Sequence, residues 1–369
     1  MSSSRNGAAN GGVAARYCAD GCGAWRCGPT GDVTLPIAAP ACGALSRGKT
    51  RFGMRATVEV ITAGETMVLG TPAQPGRLRH AASLELKIGG AESNLAIALS
   101  RLGVSAGWVS CLGEDEPGQL VLDSIRGEGV DVSRVRRLEE YPTGLYLRER
   151  LATGGQVYYY RWGSAASTMA PDAFDPDYLE GTHFLHLTGI TPALSDECRA
   201  FTSWAAREAR RAGVRVSFDV NYRSKLWSPE RAKGFVEELL PEVDLLFVGD
   251  EEARALWKRD DKEFLQELVE KGPQEVVLKR GGDGSLLLFE DRILEQPNFD
   301  VPEVDPVGAG DAFNAGYLAG HLWERGPEER LRLANAMGAM SVATLGDYEG
   351  LPDERELRNF LEGKEALGR

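Results

Sequence analysis

Asp311 ends a Gly308-Ala309-Gly310 triplet inside the run Asp305-Pro306-Val307-Gly308-Ala309-Gly310-Asp311-Ala312-Phe313. The triplet reads as a tight turn leading into a helix over 312–323, which puts the backbone N–H groups of Gly308 to Asp311 at a helix N-terminus. The first four N–H groups of a helix have no intrahelical partner and the helix dipole adds partial positive charge, so backbone alone can cradle a phosphate there. An acid in that place repels phosphate unless it takes a proton from an attacking hydroxyl while the amides neutralise charge developing on the transferred group. A capping acid after a glycine turn is the plainer alternative.

Two further stretches could meet a ligand. Gly89-Gly90-Ala91-Glu92-Ser93-Asn94 follows a short β-rich run and precedes Leu95, Ala98, Leu99 and Leu102 at helical spacing, so it is a strand-to-helix turn where glycine allows close backbone approach. Asp219-Val220-Asn221-Tyr222-Arg223 lies at the carboxyl end of the apolar run 214–218, and ligands of doubly wound sheets gather at such ends.

The run 305–313 resembles the second signature of the ribokinase-like carbohydrate kinases, Asp-Thr-x-Gly-Ala-Gly-Asp, with Pro306 in place of Thr. The resemblance implies that Asp311 is the catalytic base and that Gly308, Ala309 and Gly310 form the anion hole. Gly90 and Asn94 match the family's first signature, Gly-Gly-x-x-x-Asn, and are expected against sugar hydroxyls. ATP is expected at Asn221, Tyr222, Arg223, Lys279, Gly281, Gly282, Gly284, the Gly308–Gly310 triplet and Asn335. The Arg280–Gly284 turn resembles the family's adenine and phosphate loop, although alone it reads as an ordinary hairpin turn. Magnesium is the implied metal, with a monovalent cation as a further candidate. The family's Asn-x-x-Glu element maps to 249–252, but Gly249 replaces the Asn and leaves Glu252 as the metal-linked residue; an acidic helix start explains it equally. In sugar-acid kinases of the family an Asp at the place of Asp347 meets the substrate.

The elements that position these residues follow from periodicity. Residues 57–62 form a first strand, 83–88 a second, 104–109 a third, and the remainder alternates strands and helices in the manner of a parallel sheet with crossover helices. Residues 144–151 and 156–162 read as a hairpin about Ala152-Thr153-Gly154-Gly155. Alternation puts Val157, Tyr159 and Arg161 on one face, Tyr158, Tyr160 and Trp162 on the other, and Tyr146, Arg148 and Arg150 on a shared face. The expected architecture is an α/β, ribokinase-like domain over 54–369. It has a central mostly parallel sheet with helices on both faces plus a small β lid built from about 65–90 and 143–163. Aromatics on both faces of that lid point to a homo-oligomer formed through it. His186 reads as a core histidine rather than a catalytic one.

Composition sets the limits. The chain has 369 residues and a net charge of −13. With no basic stripe and no apolar run of about 18 residues, neither nucleic acid nor a membrane is expected as a partner. Residues 1–53 carry six Lys or Arg against two Asp, lack apolar periodicity and hold Cys18, Cys22, Cys27 and Cys42; their +4 leaves −17 from Met54 onward. They read as disordered or as an extension upstream of a natural start at Met54. Cys111 and Cys198 read as single core thiols, which fits a reducing, cytoplasmic compartment.

Substrate class rests on charge. Tyr146, Tyr159 and Arg161 on the lid and Arg223 after the Asp219 strand are expected to bring two guanidinium groups to one pocket. A carboxylate would pair with one of them, whereas a neutral sugar would leave both unpaired as water leaves. Tyr159-Tyr160-Arg161 with Ser164-Ala165, together with 219–223, closely resembles the 2-keto-3-deoxygluconate kinases of the family, so the expected partners are a small sugar acid and ATP. Fructokinases share parts of both stretches, and that reading stays open. A dehydrogenase would need Gly-x-Gly-x-x-Gly after the first strand, which Ala63-Gly64-Glu65-Thr66 does not supply. A relative that only binds sugar or nucleotide would usually have lost the acid or the anion hole, and both are present here.

Overall fold

The computed structural model describes residues 58–151 and 155–364. Strands among them run β1 Val60–Ala63, β2 Met67–Pro72, β3 Leu84–Gly89, β4 Ala106–Val109, β5 Cys111–Gly113, β6 Arg136–Leu138, β7 Leu145–Arg148, β8 Val157–Tyr160, β9 Phe184–Thr188, β10 Arg215–Asp219, β11 Leu245–Gly249, β12 Glu275–Lys279, β13 Ser285–Phe289 and β14 Arg292–Gln296. Eight of them form the main sheet in the order β14-β13-β12-β11-β10-β9-β1-β4. From β4 to β12 the neighbours are parallel, and the β12-β13-β14 edge is antiparallel.

The central strands are apolar almost throughout because both faces are covered, as a parallel sheet requires. Period-two alternation divides them: Leu185 and Leu187 of β9 and Leu246 and Val248 of β11 join a core with Phe201, Phe235 and Leu265. Phe184, Leu245 and Phe247 join the opposite core with Leu95, Ile97, Leu318 and Met337. Helices Asp196–Arg211, Pro229–Leu239 and Lys262–Val269 therefore cover one face, and Ala91–Arg101, Ala309–Leu322 and Pro327–Val342 the other. Ser195 caps the first of these by accepting the Cys198 N–H at 3.0 Å. His186 is buried and its Nδ1 lies 2.9 Å from the Ser217 hydroxyl, a core histidine.

A second, four-stranded sheet has the order β3-β2-β7-β8 and draws its strands from the two ranges 65–90 and 143–163. Pairing of Tyr146 with Tyr159 and of Leu147 with Tyr158 places Val157 and Tyr159 on the Tyr146 face and Tyr158 and Tyr160 on the other. The latter face, with Leu84 and Leu86, is exposed. Segment 1–53 with its cysteines, Thr57 of the expected first strand, and Ala152 to Gly154 of the expected hairpin turn lie outside the described residues.

The helix expected from Ala312 starts earlier, at Ala309, with Gly308 as its N-cap. The reason is the left-handed backbone of Gly308 (φ 80°), which turns the chain sharply enough for Ala309 and Gly310 to enter the helix. A Cβ on Gly308 would also lie 2.0 Å from the Asp347 carbonyl oxygen. Gly308→Ala is therefore expected to destabilise the protein by about 1–3 kcal/mol and to displace the turn. Thermal melting checks this, and a wild-type melting temperature would contradict it.

Candidate active site

A cavity of about 1160 Å³ lies between the small sheet and the carboxyl ends of β1, β9 and β10. From the sequence-expected set the fold brings Gly90, Asn94, Tyr146, Tyr159, Arg161, Tyr222, Arg223, Gly308, Asp311 and Asp347 to its wall. Ala309 and Gly310 stand behind them as the first two residues of the Ala309–Leu322 helix, and Asp311 is the third.

Asp311 is half-buried on the floor of the cavity. Asn94 Nδ2 donates to its Oδ2 at 2.9 Å. Packing away from water pushes its carboxyl up to about 7; the Asn94 hydrogen bond acts against that, the Asp219 carboxylate adds to it, and Arg223 and Lys279 oppose it. An acid in that range is deprotonated in part near neutral pH and is a stronger base than an ordinary aspartate, which suits proton abstraction from a hydroxyl. Asn94 is itself buried and its Oδ1 has no hydrogen-bond partner, leaving an acceptor at the same floor.

Positive charge under the turn comes from Lys279 at the end of β12. Its Nζ donates to Asp219 Oδ2 at 2.8 Å, and Asn314 Nδ2 donates to the same oxygen at 2.6 Å. A Cβ built on Gly310 would lie 3.5 Å from that Nζ. Lys279 thus sits behind the amides rather than on the cavity wall. Glu252 is turned inward as well: its Oε1 accepts the Tyr222 N–H and its Oε2 the Gly249 N–H, each at 2.8 Å. Desolvation and the Asp219 charge raise its carboxyl. In this arrangement Glu252 fixes the turn that carries Tyr222 and Arg223, with one backbone N–H on each carboxylate oxygen.

The remaining nucleotide positions are less assembled. Gly281, Gly282 and Gly284 form the β12–β13 turn, with Gly281 and Gly284 at φ 51° and 88°. Asn221 is buried after β10 with Oδ1 lacking a partner. Asn335 does not face the cavity: its Nδ2 donates to Ser285 Oγ at 2.8 Å and to the Leu331 carbonyl at 2.9 Å. Its amide knits its helix to β13.

On the small-sheet side Tyr146 donates its hydroxyl to Asp347 Oδ2 at 2.7 Å, and Tyr146 and Tyr159 stack with centroids 5.6 Å apart. Burial raises the Asp347 carboxyl to about 6, opposed by the Tyr146 hydrogen bond, and Asp347 Oδ1 has no partner.

The expectation of two unpaired guanidinium groups is corrected here. Arg161 forms an ion pair with the buried Glu65, whose Oε1 also accepts the Ser164 hydroxyl at 2.5 Å. Glu65 escaped sequence reading because its partner is far along the chain. Arg223 and Lys225 line the cavity, and among the described residues neither has a carboxylate partner; Lys225 Nζ donates to the Val157 carbonyl at 3.1 Å and lies over the Tyr159 ring. Arg148 also reaches the wall, paired with Asp305.

The profile of the pfkB family carbohydrate kinases matches residues 58–354. A 2-dehydro-3-deoxygluconokinase from Bacillus subtilis is 36% identical over 317 residues, covering 84% of this chain and 97% of its own. A 2-dehydro-3-deoxygalactonokinase from Haloferax volcanii is 37% identical over 316 residues, covering 84% and 98%. The crystal structure of a PfkB protein from Polaromonas sp. is similar with a TM-score of 0.75 at 34% identity, covering 82% of this chain and 99% of that one.

The Asp311 carboxyl ionises at 3.8 in an unconstrained chain and at about 7 here. The folded state therefore binds the extra proton between those values, and stability falls as pH rises through that window. Asp311→Asn removes the charge. By about pH 8 the variant is expected to be more stable than wild type by on the order of 2 kcal/mol, discounted for the opening to the cavity, with the gap closing towards pH ~4. Thermal melting at several pH values reads this, and a variant less stable than wild type at high pH would contradict it.

Proposed function

This chain belongs to the pfkB family of carbohydrate kinases, and on that premise we propose that it transfers the γ-phosphoryl group of ATP to the terminal hydroxyl of 2-keto-3-deoxygluconate (2-dehydro-3-deoxygluconate), giving 2-keto-3-deoxy-6-phosphogluconate. The chain is an ATP-dependent sugar kinase. The observation that carries the reaction is Asp311, a carboxyl raised to about 7, set in the first turn of the Ala309–Leu322 helix, where Gly308 and Asp311 line the cavity. The sugar hydroxyl oxygen attacks the γ-phosphorus while its proton passes to Asp311, and the bond to the β,γ-bridging oxygen breaks to release ADP. The Gly308–Asp311 amides, backed by Lys279, stabilise negative charge on the transferring group. Asn94 holds Asp311 in place and, with Gly90, Tyr146 and Asp347, bounds the sugar.

The sugar-acid assignment is supported by charge and by relatives. Arg223 and Lys225 stand on the wall without carboxylate partners, ready for the substrate carboxylate and the ATP phosphates. Arg161, held by Glu65 under Tyr159, adds a second guanidinium and a third cation near the place of the carboxylate. Relatives at 36% and 37% identity carry 2-dehydro-3-deoxy sugar-acid kinase names.

Among the described residues no group of three or more His, Cys, Asp or Glu is placed to hold a metal. Magnesium is accordingly proposed to enter on the triphosphate with most of its water shell, where it supplies charge neutralisation. Glu252 and Asp219 then support it through the turn and lysine they position.

We place the catalytic domain at about 54–369 and the protein in the cytoplasm; among the described residues no helix is long and apolar enough to cross a membrane. A second copy is proposed to cover the exposed Leu84, Leu86, Tyr158 and Tyr160 face of the small sheet.

Coupled ADP-release assays on a panel of sugars test the reading. The sugar acid is expected to have the higher kcat/KM, and equal or better kcat/KM for fructose would overturn the assignment. Asp311→Asn is expected to lower kcat by about a hundredfold or more with ATP binding nearly intact. Arg161→Ala should raise KM for the sugar acid by about ten- to a hundredfold and for a neutral ketose by less, since buried Glu65 loses its partner in both cases. Turnover of the Asp311 variant near wild type would remove the base role.

A further inference from the structure

Glu65 lies on the short link between β1 of the main sheet and β2 of the small one, and its side chain is almost fully buried, at 1% exposure. Its backbone has little room to move. A Cβ on Gly90 would lie 2.5 Å from the Glu65 carbonyl oxygen, so it is the missing side chain at Gly90 that lets the two segments touch. The next residue, Thr66, donates its hydroxyl to Ser93 Oγ at 2.7 Å, and Ser93 Oγ donates to the Gly90 carbonyl at 3.0 Å. Glu65 is therefore built on the same floor as Gly90 and Asn94.

From that floor the carboxylate reaches the turn that follows β8. Its Oε1 accepts the Ser164 hydroxyl at 2.5 Å and its Oε2 pairs with Arg161. The turn needs an anchor, since it ends the edge strand of the small sheet, and Tyr160 and Trp162 beside it are exposed. Arg161 keeps 11% side-chain exposure and lines the cavity, and among the described residues Glu65 is its one ion-pair partner. The other carboxyl close enough to feel the Arg161 charge, Glu92, is raised by burial, and its Oε1 is taken by the Thr188 and Thr191 hydroxyls at 2.8 and 2.9 Å. A guanidinium held along one side by a fixed carboxylate presents its remaining donors in a set direction, which a planar acceptor such as a sugar carboxylate requires.

We propose that Glu65 is a positioning residue for sugar-acid recognition, orienting Arg161 from the rigid floor of the cavity so that the guanidinium meets the substrate carboxylate. The proposal rests on the sugar-acid reading above and deepens it. Glu65 acts through Arg161 and not on the reacting atoms, so its loss falls on KM for the sugar acid and spares kcat. The Tyr159 ring, 5.8 Å from the guanidinium carbon, stays in place without Glu65 but sets no hydrogen-bond direction.

The test compares the sugar acid with a neutral ketose, the latter followed as substrate or as competitive inhibitor. Glu65→Gln keeps the shape and removes the charge. It is expected to raise KM for 2-keto-3-deoxygluconate by about tenfold or more, while kcat, KM for ATP and the constant for the ketose stay within about threefold. The double variant with Arg161→Ala is expected to have a KM for the sugar acid no higher than Arg161→Ala alone, because it also removes the carboxylate that Arg161→Ala leaves buried and unpaired. Multiplicative losses would overturn the proposal. So would an equal rise for the ketose, the mark of a merely structural role, or an unchanged or lower KM for the acid, which would mean that Glu65 only damps the charge of Arg161. If Glu65→Gln melts below assay temperature, Glu65→Asp gives the readout. Its charge stays but its reach is one methylene shorter, so KM for the sugar acid is expected to rise by about threefold or more at unchanged kcat, and a wild-type KM would overturn the proposal. Inactivity of the unmutated enzyme on the whole panel would sink the kinase reading instead. Calorimetric titration with the sugar acid then decides the proposal by itself: binding about tenfold weaker in Glu65→Gln than in the unmutated protein supports it, and equal binding or none overturns it.

Discussion

An acid placed at the positive end of a helix, packed away from water and yet facing a cavity, is the constraint on which this structure turns. Water loss raises the Asp311 carboxyl towards neutrality, and the helix end supplies the amides that a phosphate needs. The two effects oppose each other for a resting carboxylate and cooperate for a transition state in which proton leaves hydroxyl and charge gathers on the phosphoryl group. The surroundings are arranged to hold that balance. Asn94 donates one hydrogen bond to the base, while the Lys279, Asp219 and Asn314 network keeps a cation behind the turn without letting it neutralise the base directly.

The same loop explains why the small sheet matters to chemistry. Gly308 takes a left-handed conformation against the Asp347 carbonyl, so the anion hole and the sugar-side carboxyl share one packing contact. Asp347 in turn is tied to Tyr146, and Asp305 to Arg148, both on β7. The Asp347 loop and the Gly308–Asp311 turn are thus not independent but two ends of one hydrogen-bonded frame.

Local sequence carried much of this. The Gly308-Ala309-Gly310-Asp311 turn is legible because glycine and an acid at a helix start constrain what the backbone can do, and period two in 157–161 was enough to put Tyr159 towards the cavity and Tyr158 away from it. The parallel sheet followed from the alternation of strands and helices along the chain, which crossover connections require. What sequence could not provide was the partner of each charge. Arg161 looks free until the fold brings Glu65 beside it, and Arg148 looks like an ordinary strand arginine until Asp305 arrives from the far end of the chain. The partners of Asn335 were equally out of reach: its amide donates to Ser285 and Leu331, far from it in sequence or one helical turn back. Even the helix start moved, because a glycine cap lets the turn itself become helical.

The central claim is that the raised carboxyl of Asp311 is the base. The pH dependence of kcat/KM for the sugar acid under saturating ATP tests it most directly. The account predicts a rate that rises with unit slope as pH increases and levels off above an ionisation near the value of about 7 assigned to Asp311. That limb is expected to be lost in the residual activity of Asp311→Asn. A profile flat across that region, or the same ionisation surviving in the variant, would contradict the account.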